Sequence, residues 1–149
     1  MTEILFYHLE RRSLEDVLPG LLEKCLERGW RAVVQASTDE RCTALDTHLW
    51  SYREDSFLPH GTSGDSLAAE HPVCLTTGTD NPNGANIRFL VELAVPDDIP
   101  SYERVVHVFD GADEAAVRQA REQWKACKND GHTMTYWQQD ENGRWQKKG

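Results

Sequence analysis

Short apolar runs alternate with amphipathic stretches along the first fifty residues, and this alternation limits the possible folds most strongly. Residues 4–9 are rich in apolar and aromatic side chains, and residues 31–36 form a second short apolar run, as expected of buried strands. Ser13 is placed to cap a helix after the first run, and Thr38 to cap another after the second. This order, with short connections, predicts right-handed strand–helix–strand crossovers and a parallel sheet.

The first helix is predicted from its apolar stripe, which suits a helix lying on a sheet. The stripe consists of Leu14, Val17, Leu18, Leu21, Leu22, Cys25 and Leu26. Pro19 and Gly20 predict a kink or a distorted first turn within this one helix. Gly29 has the usual place of a glycine just past a helix end. The second helix has Leu45, Leu49 and Trp50 as its apolar positions.

The rest of the chain continues the pattern and predicts one α/β domain over residues 1–149. Strands are expected at 73–76, 87–93, 104–109 and 132–139, loops at 61–72 and 78–84, and a long helix at 110–128. Asn142-Gly143 is a strong hairpin signal, so 144–146 is predicted as a return strand that forms a C-terminal β-hairpin extension.

Composition limits the functional class. The chain has 149 residues, 39% hydrophobic and 28% charged, which is typical of a soluble single domain. Its net charge of -9 argues against direct nucleic-acid binding. Its four cysteines form no C-x-x-C pair, and no apolar run approaches the roughly 20 residues of a membrane span. We therefore expect a cytoplasmic, reduced protein with no membrane contact.

Signatures of catalysis are missing from the sequence. The first strand is not followed by G-x-G-x-x-G, and no G-x-x-x-x-G-K-[ST] or G-x-S-x-G motif occurs. The six histidines form no H-x-x-x-H pair. We accordingly predict no catalytic residues, no metal site and no cofactor. The alternative is a small nucleotide-binding or hydrolase-like enzyme that uses the loops between 61 and 84.

The predicted last helix has a basic flank in an otherwise acidic chain. Placing residues about 100° apart around its axis puts Ala116, Ala120 and Cys127 on one side, as close packing on a sheet requires. Val117 and Trp124 lie at the margin of this stripe, followed by Arg118, Arg121, Lys125 and Lys128. Two interpretations remain open: a solvated face with the usual basic bias of a helix C-terminus, or a site for an acidic peptide with an aromatic end.

Several motifs together resemble a known family. Leu45-Asp46-x-x-Leu49-Trp50, followed by Asp55-Ser56-Phe57-Leu58-Pro59-His60, is similar to the signature of the chi subunit of bacterial DNA polymerase III. Phe6-Tyr7 in the first strand and Ala120-Arg121-Glu122-x-Trp124-Lys125 in the last helix resemble the same family in the same order. The resemblance covers nearly the whole chain.

The resemblance implies a fold and a set of partners. The fold would be a three-layer α/β/α arrangement with a mainly parallel, Rossmann-like sheet that lacks a nucleotide site. The protein would be a non-catalytic accessory subunit of the clamp-loader complex that binds the acidic C-terminal tail of single-stranded DNA-binding protein. It would be linked to the replisome through the psi subunit or another clamp-loader subunit.

The resemblance also assigns two groups of site residues. The tail-binding group is Val117, Arg118, Arg121, Trp124, Lys125 and Lys128. The psi-facing group is Trp50, Phe57, Pro59 and His60. Val117 and Cys127 depart from the family pattern, which has a lysine and an aromatic residue at these places. Trp50 and Phe57 have a second interpretation as ordinary core residues, because large aromatic side chains usually pack inward.

Overall fold

The computed structural model describes residues 2–10, 13–51, 60–62, 72–78, 81, 83–91, 102–140, 142 and 144–147. In chain order these form β1 (Glu3–Leu9), α1 (Leu14–Glu27), β2 (Ala32–Gln35), α2 (Asp39–Ser51), β3 (His60–Thr62), β4 (Val73–Thr76), β5 (Ile87–Val91), β6 (Arg104–Asp110), α3 (Glu114–Asn129), β7 (Thr133–Gln139) and β8 (Trp145–Lys147). None of the helices in these ranges is long and apolar enough to cross a membrane.

The described strands form one sheet in the order β3-β4-β2-β5-β6-β1-β7-β8. Every neighbouring pair is parallel except β7 and β8, which are antiparallel. The predicted mainly parallel α/β sheet and the C-terminal hairpin are therefore confirmed. β5 and β6 lie between β1 and β2, so the first crossover passes over two strands.

The two faces of the sheet carry different helices, because alternate side chains of a strand point to opposite faces. Leu5 and Leu9 of β1 pack in one cluster with α1 and α2 residues, including Leu18 and Leu45. Ile4 and Phe6 of the same strand pack in a second cluster with Ala116, Ala120 and Cys127 of α3. This arrangement is the expected three-layer α/β/α fold.

The first helix begins with a capping box, in which Ser13 and Asp16 each accept a hydrogen bond from the other's backbone N–H. The helix runs unbroken through Pro19, which confirms one helix rather than two. Proline lacks the N–H that would bond to the carbonyl of Glu15 four residues earlier. Instead, His48 Nε2 of α2 lies 2.7 Å from this carbonyl oxygen and donates to it.

The same glutamate also joins the two helices through its side chain. Arg41 of α2 donates to the Glu15 carboxylate at 2.5 Å. Burial alone would raise the pKa of Glu15, but the hydrogen bond and charge of Arg41 outweigh it, so the pKa is lowered. One residue of α1 therefore holds α2 by both its backbone and its side chain.

The boundaries of several elements differ from the sequence-based prediction. The last helix begins at Glu114 rather than residue 110, because Asp110 continues β6 and pairs with Leu9. Residues 60–62 form the short strand β3, although 61 and 62 were predicted as loop. The return strand is 145–147 rather than 144–146. The fourth predicted strand ends at Val91 in the structure, and residues 92 and 93 lie outside the described part.

Candidate functional site

The position of α3 on the sheet is set by its cap and by its small side chains. The carboxylate of Asp113 accepts hydrogen bonds from the backbone N–H groups of Ala115 at 3.0 Å and Ala116 at 3.3 Å. Ala116, Ala120 and Cys127 are buried against the sheet. The predicted stripe of small residues is thus the face on which α3 packs.

The margin of α3 next to this packed face carries the residues predicted as a binding site. Val117 and Trp124 are half-buried and pack against the edge of the second core cluster. Four exposed cations lie beside them: Arg118, Arg121, Lys125 and Lys128. At about 100° per residue, these six side chains span about 120° of the helix circumference. We call the four cations the basic ridge. It runs along α3 beside Val117 and Trp124.

The Trp124 indole is held by aromatic contacts from two strands. Its ring makes T-shaped contacts with Phe6, at 5.4 Å between centroids, and with Tyr136, at 5.8 Å between centroids. Phe6 is fully buried, so it provides a fixed base for the indole. Edge-to-face pairs at these distances are favourable beyond their buried area, which orients the half-exposed ring before any ligand arrives.

A chain of polar contacts fixes Tyr136 in turn. His8 Nδ1 lies 2.6 Å from the Tyr136 hydroxyl, and its Nε2 lies 3.3 Å from the Glu10 carboxylate. Because the carboxylate can only accept, Nε2 carries the proton and the hydroxyl donates to Nδ1. The side-chain amide of Gln138 also donates to Glu10 at 2.7 Å. The carboxyl ends of β1 and β7 thereby position the ring that supports Trp124.

Arg121 is the cation of the basic ridge that acts electrostatically on this polar chain. Burial raises the pKa of Tyr136, and the positive charge of Arg121 opposes the rise. Burial also lowers the pKa of His8; Glu10 opposes this shift and Arg121 adds to it. The lowered pKa favours the neutral form of His8 at pH 7, and Arg121 is the cation of the basic ridge whose charge acts on both His8 and Tyr136.

Below this layer lies a buried histidine. The His107 ring stacks on Phe6 with centroids 4.5 Å apart and planes 4° from parallel. It borders a small cavity of about 20 Å³ under α3. Its Nε2 is buried and has no hydrogen-bond partner among the described residues. Burial lowers the pKa of His107 to about 4, so the ring is neutral at physiological pH.

The sequence did not identify Phe6, His8 and Tyr136 as parts of this site, although all three support Trp124 directly or through one contact. A signal was present in the alternation of Met134 and Tyr136 along the last long strand, which places both on one face. What was missing was the pairing of β7 with β1, which brings Tyr136 opposite Phe6.

Most of the predicted psi-facing group lies outside the described residues. Phe57 and Pro59 are outside the described residues. Trp50 lies in α2 and His60 is the first residue of β3, but their side chains are also outside the description.

The four cysteines, Cys25, Cys42, Cys74 and Cys127, are free and buried. In the described ranges no three His, Cys, Asp or Glu side chains cluster as metal ligands.

A model of the family described as "DNA polymerase III chi subunit, HolC" matches residues 1–135. The chain belongs to this family. The predicted resemblance is therefore confirmed, and the match includes every residue of the basic ridge.

Curated relatives agree with this membership. A protein from Pseudomonas aeruginosa named "DNA polymerase III subunit chi" is 28% identical over 138 residues, which cover 90% of this chain and 94% of that protein. A Rickettsia prowazekii protein named "Probable DNA polymerase III subunit chi" is 25% identical over 74% of this chain and 71% of its own length. A "DNA polymerase III subunit chi" from Haemophilus influenzae is 21% identical over 83% of this chain and 85% of its own length. Membership in the chi family supports an accessory role in the replisome.

Proposed function

We propose that this chi-family protein is a non-catalytic adaptor that captures the acidic C-terminal tail of single-stranded DNA-binding protein on α3 and links it to the clamp loader. The observation that carries the proposal is the basic ridge beside a half-exposed, pre-oriented Trp124. Four exposed cations on one side of one helix contrast with a net charge of -9 for the whole chain.

The ligand chemistry follows from this contrast. Arg121 can pair in a bidentate way with the terminal carboxylate or with a neighbouring aspartate of the tail. Trp124 and Val117 supply the apolar ledge for the terminal aromatic side chain. Lys125, and beyond it Arg118 and Lys128, attract the remaining acidic residues.

The affinity should be modest. Each exposed ion pair contributes only about 0.2–1 kcal/mol and is screened by salt. The ledge adds the burial of one aromatic side chain, about 1.5–3 kcal/mol. We therefore expect micromolar-class binding that weakens as the salt concentration rises.

The test is a titration of fluorescently labelled tail peptide, read by anisotropy, with three variants. Arg121→Ala should weaken binding about tenfold or more, because the bidentate, charged hydrogen bonds of this one arginine contribute about 1.5–3 kcal/mol, above the value for an ordinary exposed ion pair. Arg121→Lys should fall between wild type and alanine, because lysine keeps the charge but loses the bidentate geometry. Arg28→Ala removes an equally exposed arginine from the end of α1, on the other face of the sheet, and should bind like wild type.

Equal affinity of the wild type and Arg121→Ala would refute the assignment of this helix as the tail site. Equal losses in the Arg121 and Arg28 variants would show that only net charge matters.

The link to the psi subunit or another clamp-loader subunit is proposed for a separate surface that contains Trp50, Phe57, Pro59 and His60. The proposal rests on family membership and on the Leu-Trp and Ser-Phe-x-Pro-His motifs. Pull-down of clamp-loader subunits from cell extract with wild type and Phe57→Ala tests it. Recovery unchanged by the substitution would count against this surface.

The enzymatic alternative falls on residues 61–84, of which 63–71, 79, 80 and 82 lie outside the described part of the chain. It makes a separate prediction: a nucleotide should raise the melting temperature. The adaptor proposal predicts no shift with nucleotide and a positive shift with tail peptide.

A further inference from the structure

A second pocket lies on the face of the sheet opposite α3, between the end of α1 and strands β1, β5 and β6. Its volume is about 170 Å³. The apolar part of its wall comes from Leu21 of α1, Ile87 and Phe89 of β5, and Val106 of β6. An apolar cavity of about 150 Å³ is large enough to bind benzene. The pocket is therefore the size of one aromatic ring.

Three cations belong to the same pocket. Lys24 lies in the last turn of α1, Arg28 is the capping residue just after this helix, and Arg104 is the first residue of β6. Among the described residues, none that lines the pocket is acidic. Glu3 adjoins it through an ion pair with Arg104 at 3.0 Å, so three positive charges face one negative charge. This balance is the reverse of that of the whole chain, whose net charge is -9.

The two guanidinium groups are held against one aromatic ring. The Arg28 Cζ lies 5.4 Å from the Trp30 ring centroid, and the Arg104 Cζ lies 5.2 Å from it. Such contacts favour fixed positions for otherwise flexible arginine side chains. The Nε of Arg104 is buried and has no acceptor among the described residues, whereas 24% of the side chain as a whole is exposed. A ligand in the pocket can therefore reach Arg104 only at the exposed part of its side chain.

The pocket also contains one neutral hydrogen-bond donor, the hydroxyl group of Tyr7. Tyr7 lines the pocket, and burial raises its pKa, so the hydroxyl keeps its proton at neutral pH. The charges of Arg104 and Arg28 oppose this rise, as expected if both guanidinium groups face the phenol. Two guanidinium groups, one ammonium group and one phenol thus surround a ring-sized apolar space.

We propose that this pocket binds a small aromatic carboxylate, with its ring against Leu21 and Phe89 and its carboxylate between Arg28 and Arg104. An inorganic anion would leave the apolar wall unused. A nucleobase would place its N–H and C=O groups against that wall without partners, at a cost of about 1–3 kcal/mol for each group. A ring that bears only a carboxylate satisfies both halves of the pocket.

The probe is 3-phenylpropionate, and its neutral analogue 3-phenylpropionamide has nearly the same shape. Calorimetric titration of the full chain should show that the acid binds and that the amide binds about tenfold more weakly or not at all, because the charged hydrogen bonds are lost. Arg28→Gln should weaken binding of the acid about tenfold. Arg144→Gln makes the same charge change at an exposed residue of the C-terminal hairpin, outside both sites, and should leave this affinity unchanged. Leu21→Trp, which fills the pocket, should abolish binding.

Arg28→Gln keeps the proposal testable if Leu21→Trp fails to fold, since Arg28 is exposed at the end of α1. Equal binding of acid and amide would overturn the proposal, as would equal losses in the two glutamine variants or no binding of the acid to the wild type. Failure of this proposal is distinguishable from failure of the proposed tail binding, because the tail-peptide titration depends on Arg121 and not on Arg28.

Discussion

Acidification should destabilise this protein through His107, whose ring is buried beneath α3. The imidazole stacks on Phe6, and its Nε2 has no hydrogen-bond partner in the described part of the chain. Protonation would place an unpaired charge there, which is why burial lowers the pKa of His107 to about 4. In the unfolded chain the pKa returns to about 6.5.

The direction of this pH effect follows from the number of protons that His107 binds in the folded and in the unfolded protein. Between pH 6.5 and pH 4, the unfolded chain binds a proton at this residue and the folded protein does not, so acid favours unfolding. The contribution of His107 is fully present above the unfolded pKa and is lost as the pH falls toward the folded pKa. With a folded pKa of about 4, the free energy of unfolding should be about 2 kcal/mol lower at pH 5 than at pH 7.

Urea unfolding of wild type and His107→Phe at pH 5 and pH 7 separates the contribution of His107 to the free energy of unfolding from all others. Phenylalanine keeps the stack on Phe6, and the cavity of about 20 Å³ beside the ring gives room for it. His8, whose pKa is also lowered mainly by burial, titrates in both proteins and cancels in the comparison. The variant should lose about 2 kcal/mol less than wild type on acidification. Equal losses would refute the argument that His107 is buried as a neutral, unpaired ring.

Three further substitutions test other parts of the structure by denaturant unfolding. Asp113→Ala removes the cap of α3 and should cost about 1 kcal/mol; no loss would contradict the capping role. His48→Ala leaves the Glu15 carbonyl without its donor and should cost about 1–2 kcal/mol. The cost should shrink in a Pro19→Ala background, where the helix supplies an N–H, and additive effects would argue against this explanation. Gly111→Ala would place a Cβ against the His8 ring of β1 and should lower the free energy of unfolding by about 1–3 kcal/mol. An unchanged free energy of unfolding would show that the His8 ring has room to move.

Much of the fold was predictable because its signals are local. Ser13 caps α1 as expected, through a hydrogen bond to the backbone of Asp16. Thr38 accepts a hydrogen bond from the Arg41 backbone at the start of α2. The apolar runs in the described part of the chain became buried strands, as their composition indicates. Family membership was likewise predictable, from motifs that need no structure to read.

What the sequence did not predict depends on contacts between distant segments. The sequence predicts that the last helix begins at Asp110, but pairing with β1 extends β6 through this residue. The short strand at 60–62 has no apolar alternation of its own and exists because it pairs with β4. The ring-sized pocket is assembled from α1, β1, β5 and β6. No single stretch of sequence contains enough of its lining to reveal it.

The central claim is that α3 captures an acidic, aromatic-ended tail, and the most direct test is to locate the bound peptide. Tail peptide titrated into isotope-labelled protein should shift the backbone signals of Arg121 and Lys125 and the indole N–H signal of Trp124 in two-dimensional NMR spectra. The Trp30 indole, on the opposite face of the sheet, should stay unchanged. Shifts concentrated at Trp30 and the end of α1, with α3 unaffected, would contradict the account.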